Sequence, residues 1–208
     1  MQFSTFLSKI SNPSFLVEKQ LGKEAHREVI PKERLNIDFS NINNPKDAAV
    51  LALFYPDANN ETCFLLTLRA SYKGTHSAQI SFPGGKKNSI DPNLKQTALR
   101  ETSEEVGIDN KQVTIIKKLS KTYIPPSNFW VHPYLAISHK TPKFSKNYEV
   151  EALIEVKLAD LLNDSNFTKQ KRSTSYMKNI EVPCFILNEF VVWGATAMIL
   201  NEIKKNLC

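Results

Sequence analysis

The residues best placed to do chemistry lie together in the run Arg100-Glu101-Thr102-Ser103-Glu104-Glu105-Val106-Gly107-Ile108. On a helix, which turns about 100° per residue, Glu101, Glu104 and Glu105 share one arc, because positions three and four apart are neighbours. Leu99, Thr102 and Val106 fall on the opposite side, where they can pack on a sheet. Like charges at this spacing cost an isolated helix roughly a few tenths of a kcal/mol per pair. Hard divalent cations that prefer oxygen ligands, Mg²⁺ or Mn²⁺, would offset that repulsion. A solvated acidic helix face is the alternative reading of the same three residues.

A second feature precedes the first. In Ser81-Phe82-Pro83-Gly84-Gly85-Lys86 a short strand meets Pro-Gly-Gly. Glycine lets a backbone turn sharply and approach a ligand closely, and it can aim a carbonyl at a metal. The elements that must position these groups can be read around them. Ala48 to Tyr55 and Thr62 to Leu68 read as paired strands separated by the turn chemistry of Pro56 to Glu61. Residues 69–79 read as a polar loop and Ile80 to Phe82 as a short strand. Asp91 followed by Pro92 reads as the start of the acidic helix, and Gly107 as its stop. Val113 to Leu119, Phe129 to Ser138, Glu149 to Lys157 and Ile180 to Leu187 are expected strands. Leu158 to Leu162 and Gly194 to Lys205 are expected helices. The N-terminus places Phe3, Phe6, Leu7 and Ile10 at helical spacing, and residues 18–37 read as a polar connecting arm. The pattern is α/β or α+β with a mixed sheet, divided into an N-terminal helix and arm (1–40) packing on a body (41–208).

Glycine loop, acidic helix and glycine stop together resemble the Nudix box, Gx5Ex7REUxEExGU with U aliphatic. Gly85, Arg100, Glu101, Glu104, Glu105, Gly107 and Ile108 match. The stretch from Gly85 to Arg100 is one residue longer than the usual pattern, Pro92, counting back from Arg100, stands where the first glutamate belongs, and Thr102 replaces an aliphatic residue. The missing glutamate bears on how the helix is positioned more than on the metal ligands. The chain also resembles the coenzyme A pyrophosphatase branch of that family, through Leu65-Leu66-Thr67-Leu68-Arg69-Ala70-Ser71, His76-Ser77-Ala78-Gln79 and Phe82-Pro83-Gly84-Gly85-Lys86, although Ala78 stands where a glycine is expected. Later pieces, among them Val131-His132-Pro133 and Trp193-Gly194-Ala195-Thr196-Ala197, extend the likeness over about residues 45–203.

The resemblance implies a Nudix-type α/β/α sandwich with a mixed β-sheet. It implies that Glu101, Glu104 and Glu105, with the Gly85 carbonyl, bind Mg²⁺ or Mn²⁺, and that Arg100 braces the glutamates. The reaction implied is metal-dependent hydrolysis of a nucleoside diphosphate-linked small molecule, with coenzyme A or acyl-CoA the first expectation. ADP-ribose, NADH or a nucleoside triphosphate is the alternative substrate, and a non-enzymatic nucleotide-binding module is the alternative class. Arg69 and Lys86 are candidate phosphate contacts by charge-assisted hydrogen bonds, and His76 and Gln79 are candidate substrate contacts. Glu149 is the first candidate for an additional carboxylate, with Glu151 behind it. Trp193 reads as core or as a stacking platform for a base.

Bulk properties narrow the partners. The 208 residues are 41% hydrophobic and 23% charged, an ordinary globular balance. A net charge of +6 favours anionic ligands, with the lysines too scattered to predict nucleic-acid binding. No apolar run is long enough to span a membrane, no secretory signal is evident, and a homodimer stays open. Cys63, Cys184 and Cys208 form no CxxC pair. The first two lie in apolar stretches that predict inert buried thiols, which suits a reducing cytoplasm.

Overall fold

The computed structural model describes residues 1–16, 21–31, 42–70, 79–173 and 179–208. Its centre is set by β1 (Lys46–Pro56). Successive side chains of a strand leave opposite faces. Accordingly Ala49, Leu51, Leu53 and Tyr55 enter one apolar cluster while Ala52 and Phe54 enter another. An unbroken apolar run is what a strand covered on both faces requires.

Five further strands extend the same sheet through β2 (Thr62–Arg69), β3 (Ile80–Ser81), β4 (Gly84–Lys86), β5 (Thr114–Lys118) and β6 (Thr122–Ile124), and it is completed by β7 (Phe129–Ile137) and β8 (Val150–Lys157). The path runs β3-β2-β1-β7-β5, with β4 on β1, β6 on β7 and β8 on β2. β1 is parallel to β7 and antiparallel to β2 and β4, so the sheet is mixed. Along one edge of β1, β4 pairs with Ala48 to Val50 and β2 with Phe54 to Pro56.

Helix α1 (Phe3–Ile10), the short α2 (Pro13–Leu16) and α3 (Leu21–Val29) precede the sheet. Helix α4 (Leu94–Val106) covers one face of it with Ala98, Leu99 and Val106. The opposite face is covered by α1 and the C-terminal α6 (Gly194–Leu207), with α5 (Leu158–Leu162) at its side. There Phe6 stacks on Phe54 with ring centroids 4.9 Å apart. Each fully buried side chain of this size is worth about 1.5–3 kcal/mol. A second sheet, β9 (Phe167–Arg172), β10 (Ile180–Leu187) and β11 (Phe190–Trp193), adds Phe185, Leu187 and Val192 to that core. Among the described residues no helix is long and apolar enough to cross a membrane.

Three expectations need correction. The polar arm of residues 18–37 contains a helix, α3, because Ala25 and Val29 lie one turn apart and both bury. The acidic helix starts at Leu94, capped by Asn93, whose side chain accepts from Gln96 N at 3.0 Å. Asp91 and Pro92 lie outside it, and the Asp91 carboxylate is bonded elsewhere. Gly84 and Gly85 belong to a strand rather than to a turn. The C-terminal stop is where it was expected: Gly107 is left-handed at φ 71°, and its N–H donates to Ser103 O.

Candidate functional site

Strand β4 carries main-chain groups on both of its edges. In its ladder with β1, Pro83 O accepts from Leu51 N and Asp47 O accepts from Lys87 N. Hydrogen-bonded and non-bonded pairs alternate in an antiparallel ladder, so Gly85, opposite Ala49, turns its main-chain groups to β1. Those of Gly84 and Lys86 turn the other way, toward α4. Gly84 N donates to Glu105 Oε2 at 2.8 Å, and Lys86 O accepts from Arg100 Nη2 at 3.4 Å. Close approach requires glycine at Gly84, where the neighbour is backbone, whereas at Gly85 the neighbour is the end of a side chain. A Cβ on Gly85 would collide with the Glu101 carboxylate, and one on Gly84, at φ 146°, would collide with the Ala49 carbonyl.

The three helix carboxylates differ in burial. Glu105 is buried, Glu101 is 20% exposed at its side chain and Glu104 is 54% exposed. Burial pushes the Glu105 carboxyl up to about 7, against the Gly84 N–H and the positive charge of Arg69, which pull it down. Burial also raises Glu101 above the usual carboxylate range, with Arg100 opposing.

Arg100 organises this group. Its Nε and Nη2 form a fork on Asp91 at 2.8 and 2.9 Å, its Nη2 lies 2.8 Å from Glu101 Oε1, and its Nη1 lies 3.0 Å from Glu104 Oε2. Asp91 also accepts from Asn88 N at 2.8 Å and from Thr97 Oγ1 at 3.0 Å. Paired chiefly with Arg100, its carboxyl lies well below the usual range. The sequence reading missed Asp91. Counted forward from Gly85, Gx5E ends on Asp91, a carboxylate in place of the glutamate, but counted back from Arg100 it ends on Pro92, and the Asp-Pro context imitates a cap. Asp91 holds Arg100 from that position.

Glu149 approaches from the far wall. Its Oε2 lies 3.6 Å from Arg69 Nη2, and its charge is felt by both Glu101 and Glu105. The loop before it is fastened to the end of α4, with Ser145 N donating to Val106 O and Asn147 N to Glu105 O. Ala70 N donates to Glu149 O, and Arg69 N to Gln79 O. Thus Arg69, Gln79, Lys86, Gly85, Arg100, Glu101, Glu104, Glu105 and Glu149 belong to one neighbourhood. The Lys86 side chain is exposed, Glu151 is exposed on β8, and His76 lies outside the described residues. Trp193 is half-buried at the start of α6, in a ladder pair with Cys184.

As they stand, Arg100 draws Glu101 and Glu104 to itself. Among the described residues no three His, Cys, Asp or Glu side chains converge as a chelating group. The donor chemistry nevertheless fits a hard cation: three carboxylates beside a glycine strand edge supply only oxygen, with no sulfur or imidazole. Cys63 and Cys184 are buried free thiols, and burial pushes Cys63 up to about 11.

Fold and site together define a class: an α/β/α sandwich that presents a graded row of helix carboxylates beside a glycine strand. A family model described as the NUDIX domain matches residues 45–176, and the chain belongs to the Nudix family. It is 31% identical over 163 residues to "Nudix hydrolase 15, mitochondrial" of Arabidopsis thaliana, covering 75% of this chain and 56% of that protein. It is 30% identical over 148 residues to "Uncharacterized Nudix hydrolase NudL" of Yersinia pestis (strain Pestoides F), covering 71% of this chain and 73% of that one. The crystal structure of a MutT/nudix family protein from Enterococcus faecalis superposes with a TM-score of 0.53, at 15% identity, over 89% of this chain and 73% of that chain. At that identity the likeness is one of fold.

Proposed function

We propose that this protein is a divalent-metal-dependent pyrophosphohydrolase that cleaves the diphosphate of a nucleoside diphosphate-linked small molecule. The observation that carries the reading is the Asp91–Arg100 fork, with Glu101 and Glu104 held on its other side and Glu105 hydrogen-bonded to the glycine strand. Glu101, Glu104 and Glu105 would hold Mg²⁺ or Mn²⁺, Glu101 and Glu104 exchanging an Arg100 contact for the ion. The Gly84–Lys86 strand would add a main-chain oxygen. The Gly85 carbonyl was the first expectation for that oxygen. The ladder alternation favours its neighbours, which face the helix.

Bound there, such ions neutralise a diphosphate and lower the pKa of a coordinated water. The chain's own groups do the rest. Arg69 and Lys86 orient the phosphates, with Gln79 and His76 assigned to the substrate. Glu104 or Glu105 accepts the proton of the attacking water, and Glu149 is the third candidate for that role. Water attacks one phosphorus, the bond from that phosphorus to the bridging oxygen breaks, and two phosphate monoesters result.

For the substrate we propose coenzyme A or acyl-CoA, giving adenosine 3′,5′-bisphosphate and 4′-phosphopantetheine or its acyl form. The support is the run from Leu65 to Lys86 and a net charge of +6, which suits an additional phosphate. The test is product analysis with coenzyme A, ADP-ribose and NADH, each with Mg²⁺, with Mn²⁺ and with chelator. Adenosine 3′,5′-bisphosphate formed fastest, and only with metal, is expected. Faster cleavage of another substrate would replace coenzyme A and keep the site. An absence of metal-dependent cleavage would leave a nucleotide-binding module. A Glu104→Gln variant with full activity would overturn the site assignment.

A further inference from the structure

The last carbonyls of an α-helix have no partner within it and must find one elsewhere. At the end of α4 two of them are taken by one segment: Val106 O accepts from Ser145 N at 2.9 Å and Glu105 O from Asn147 N at 3.0 Å. Gly107 admits that segment as well as ending the helix, since a Cβ there would come within 2.9 Å of the Ser145 carbonyl oxygen. Phe144 anchors the start of the segment by an edge contact with Tyr55, ring centroids 5.3 Å apart. Asn147 reaches in two directions. Its main chain grips the residue that carries the Glu105 carboxylate, and its side-chain Oδ1 accepts from Glu149 N at 2.9 Å. Beyond it, Glu149 O accepts from Ala70 N at 2.9 Å, and the Glu149 carboxylate lies 3.6 Å from Arg69 Nη2. Its charge is felt by Glu101 and Glu105. One residue therefore links the main chain of Glu105 to that of Glu149, and two of the site's carboxylates, one from a helix and one from the head of a strand, share a mount.

We propose that Asn147 is a positioning residue for the hydrolysis: its side chain fixes the turn that leads into β8 and so holds the Glu149 carboxylate toward Arg69 and the acidic face of α4. This rests on the hydrolase reading above and deepens it by naming what sets the place of Glu149. The link is separable from the rest of the mount. Substituting Asn147 leaves its own N–H on Glu105 O and removes only the acceptor for Glu149 N. Serine there keeps a weaker acceptor of the same kind and adds no charge.

The test is steady-state kinetics of the wild type, Asn147→Ala, Asn147→Ser, Glu149→Gln and the double variant Asn147→Ala with Glu149→Gln. The substrate is whichever of coenzyme A, ADP-ribose and NADH is cleaved fastest with Mg²⁺. Groups that orient a functional side chain from behind typically change activity by about 10–100-fold. Asn147→Ala should lower kcat/KM within that range, and Asn147→Ser should lower it less. In the Glu149→Gln background Asn147→Ala should bring no further loss, because residues acting through one another are not additive. A merely structural role would bring the same loss in both backgrounds. That result, or full activity in Asn147→Ala or in Glu149→Gln, or Asn147→Ser no better than Asn147→Ala, would overturn the positioning role and leave the hydrolase reading intact. A wild type that cleaves none of the three substrates would overturn both.

Discussion

Two buried carboxylates, one on each side of the sheet, are held in opposite styles. On the face covered by α6, Glu202 is 6% exposed at its side chain, lies 3.0 Å from His26 Nε2, and accepts from Ser120 N. Its partners all point inward, and it fastens α3 to α6 and to the chain after β5. On the face covered by α4, Asp91 is equally buried, but its cation reaches outward, because Arg100 holds Glu101 and Glu104 on its solvent side. The second group is also out of balance: Asp91, Glu101, Glu104, Glu105 and Glu149 meet the guanidinium groups of Arg100 and Arg69. A buried pair that closes on itself is structural. One that carries surplus negative charge to the surface leaves a repulsion that the proposed cation would offset.

The largest effect should come from removing that surplus. Glu105→Gln keeps the acceptor for Gly84 N and deletes a charge, and Glu101→Gln does the same beside Gly85. Each should lower kcat/KM by about 10²–10⁴-fold, the range for losing a group that handles the proton, without lowering the melting temperature. Glu202→Gln should do the reverse, lowering the melting temperature and leaving kcat/KM unchanged. If Glu202→Gln proves as inactive as Glu105→Gln, the division between the two faces is wrong.

The pH dependence should separate the site's own two buried acids. Asp91 has its pKa depressed by Arg100. Its stabilisation is present above the ordinary aspartate value and is lost only in strong acid, as pH falls through the depressed value. Glu105 has the opposite sign. Raised from 4.5 to about 7 by burial, it binds its proton more tightly folded than unfolded. Stability should therefore be greatest below about pH 4.5 on this account and fall by about 3 kcal/mol as pH rises to about 7. Melting curves in chelator from pH 5 to 8 would show the decline. Glu105→Gln should flatten it, and Mg²⁺ should stabilise the protein more at pH 7 than at pH 5.

Smaller again is the loss of the brace. Removing one partner from a buried ion pair costs roughly 3–5 kcal/mol. Arg100 keeps Glu101 and Glu104, so Asp91→Asn should sit at or just below the low end, about 2–3 kcal/mol by denaturant titration. Groups that orient ligands from behind typically change activity or metal affinity by about 10–100-fold. Asp91→Asn should accordingly weaken Mn²⁺ binding as well as stability, a combination not expected of Glu202→Gln.

The same contrast explains what could be read from the sequence. Short-range periodicity exposed the three glutamates and the Gly107 stop, because both are local properties of one helix. Asp91 was legible only by counting forward from Gly85; counted back from Arg100 the pattern falls on Pro92, and the Asp91 carboxylate is claimed by Arg100, Thr97 and Asn88, leaving Asn93 to cap the helix. Helix α3 was hidden by its polar surface; the reason it is a helix, Ala25 and Val29 against the core, is tertiary. Strand β9 escaped for a related reason. Its Lys-rich sequence is mostly exposed, and only pairing with β10 makes it a strand. Strand β4 was read as a turn because Gly-Gly weakens strand propensity, whereas in the fold Gly84 lies against the β1 backbone and Gly85 against Glu101.

The finest test of the contrast lies at its edge. Glu149 and Glu151 are two residues apart at the start of β8, and both are carboxylates with solvent access. Glu149 makes a 3.6 Å pair with Arg69 across side chains that are 34% and 39% exposed. Such a pair contributes roughly 0–1 kcal/mol, so Glu149→Gln and Glu151→Gln should both melt close to the wild type. Activity should divide them. Glu149 shares a field with Glu101 and Glu105 and its carboxylate pairs with Arg69, so its variant should lose turnover. Glu151→Gln should retain it. Equal activity in the two variants would move the site's boundary inward, to the helix and the glycine strand alone.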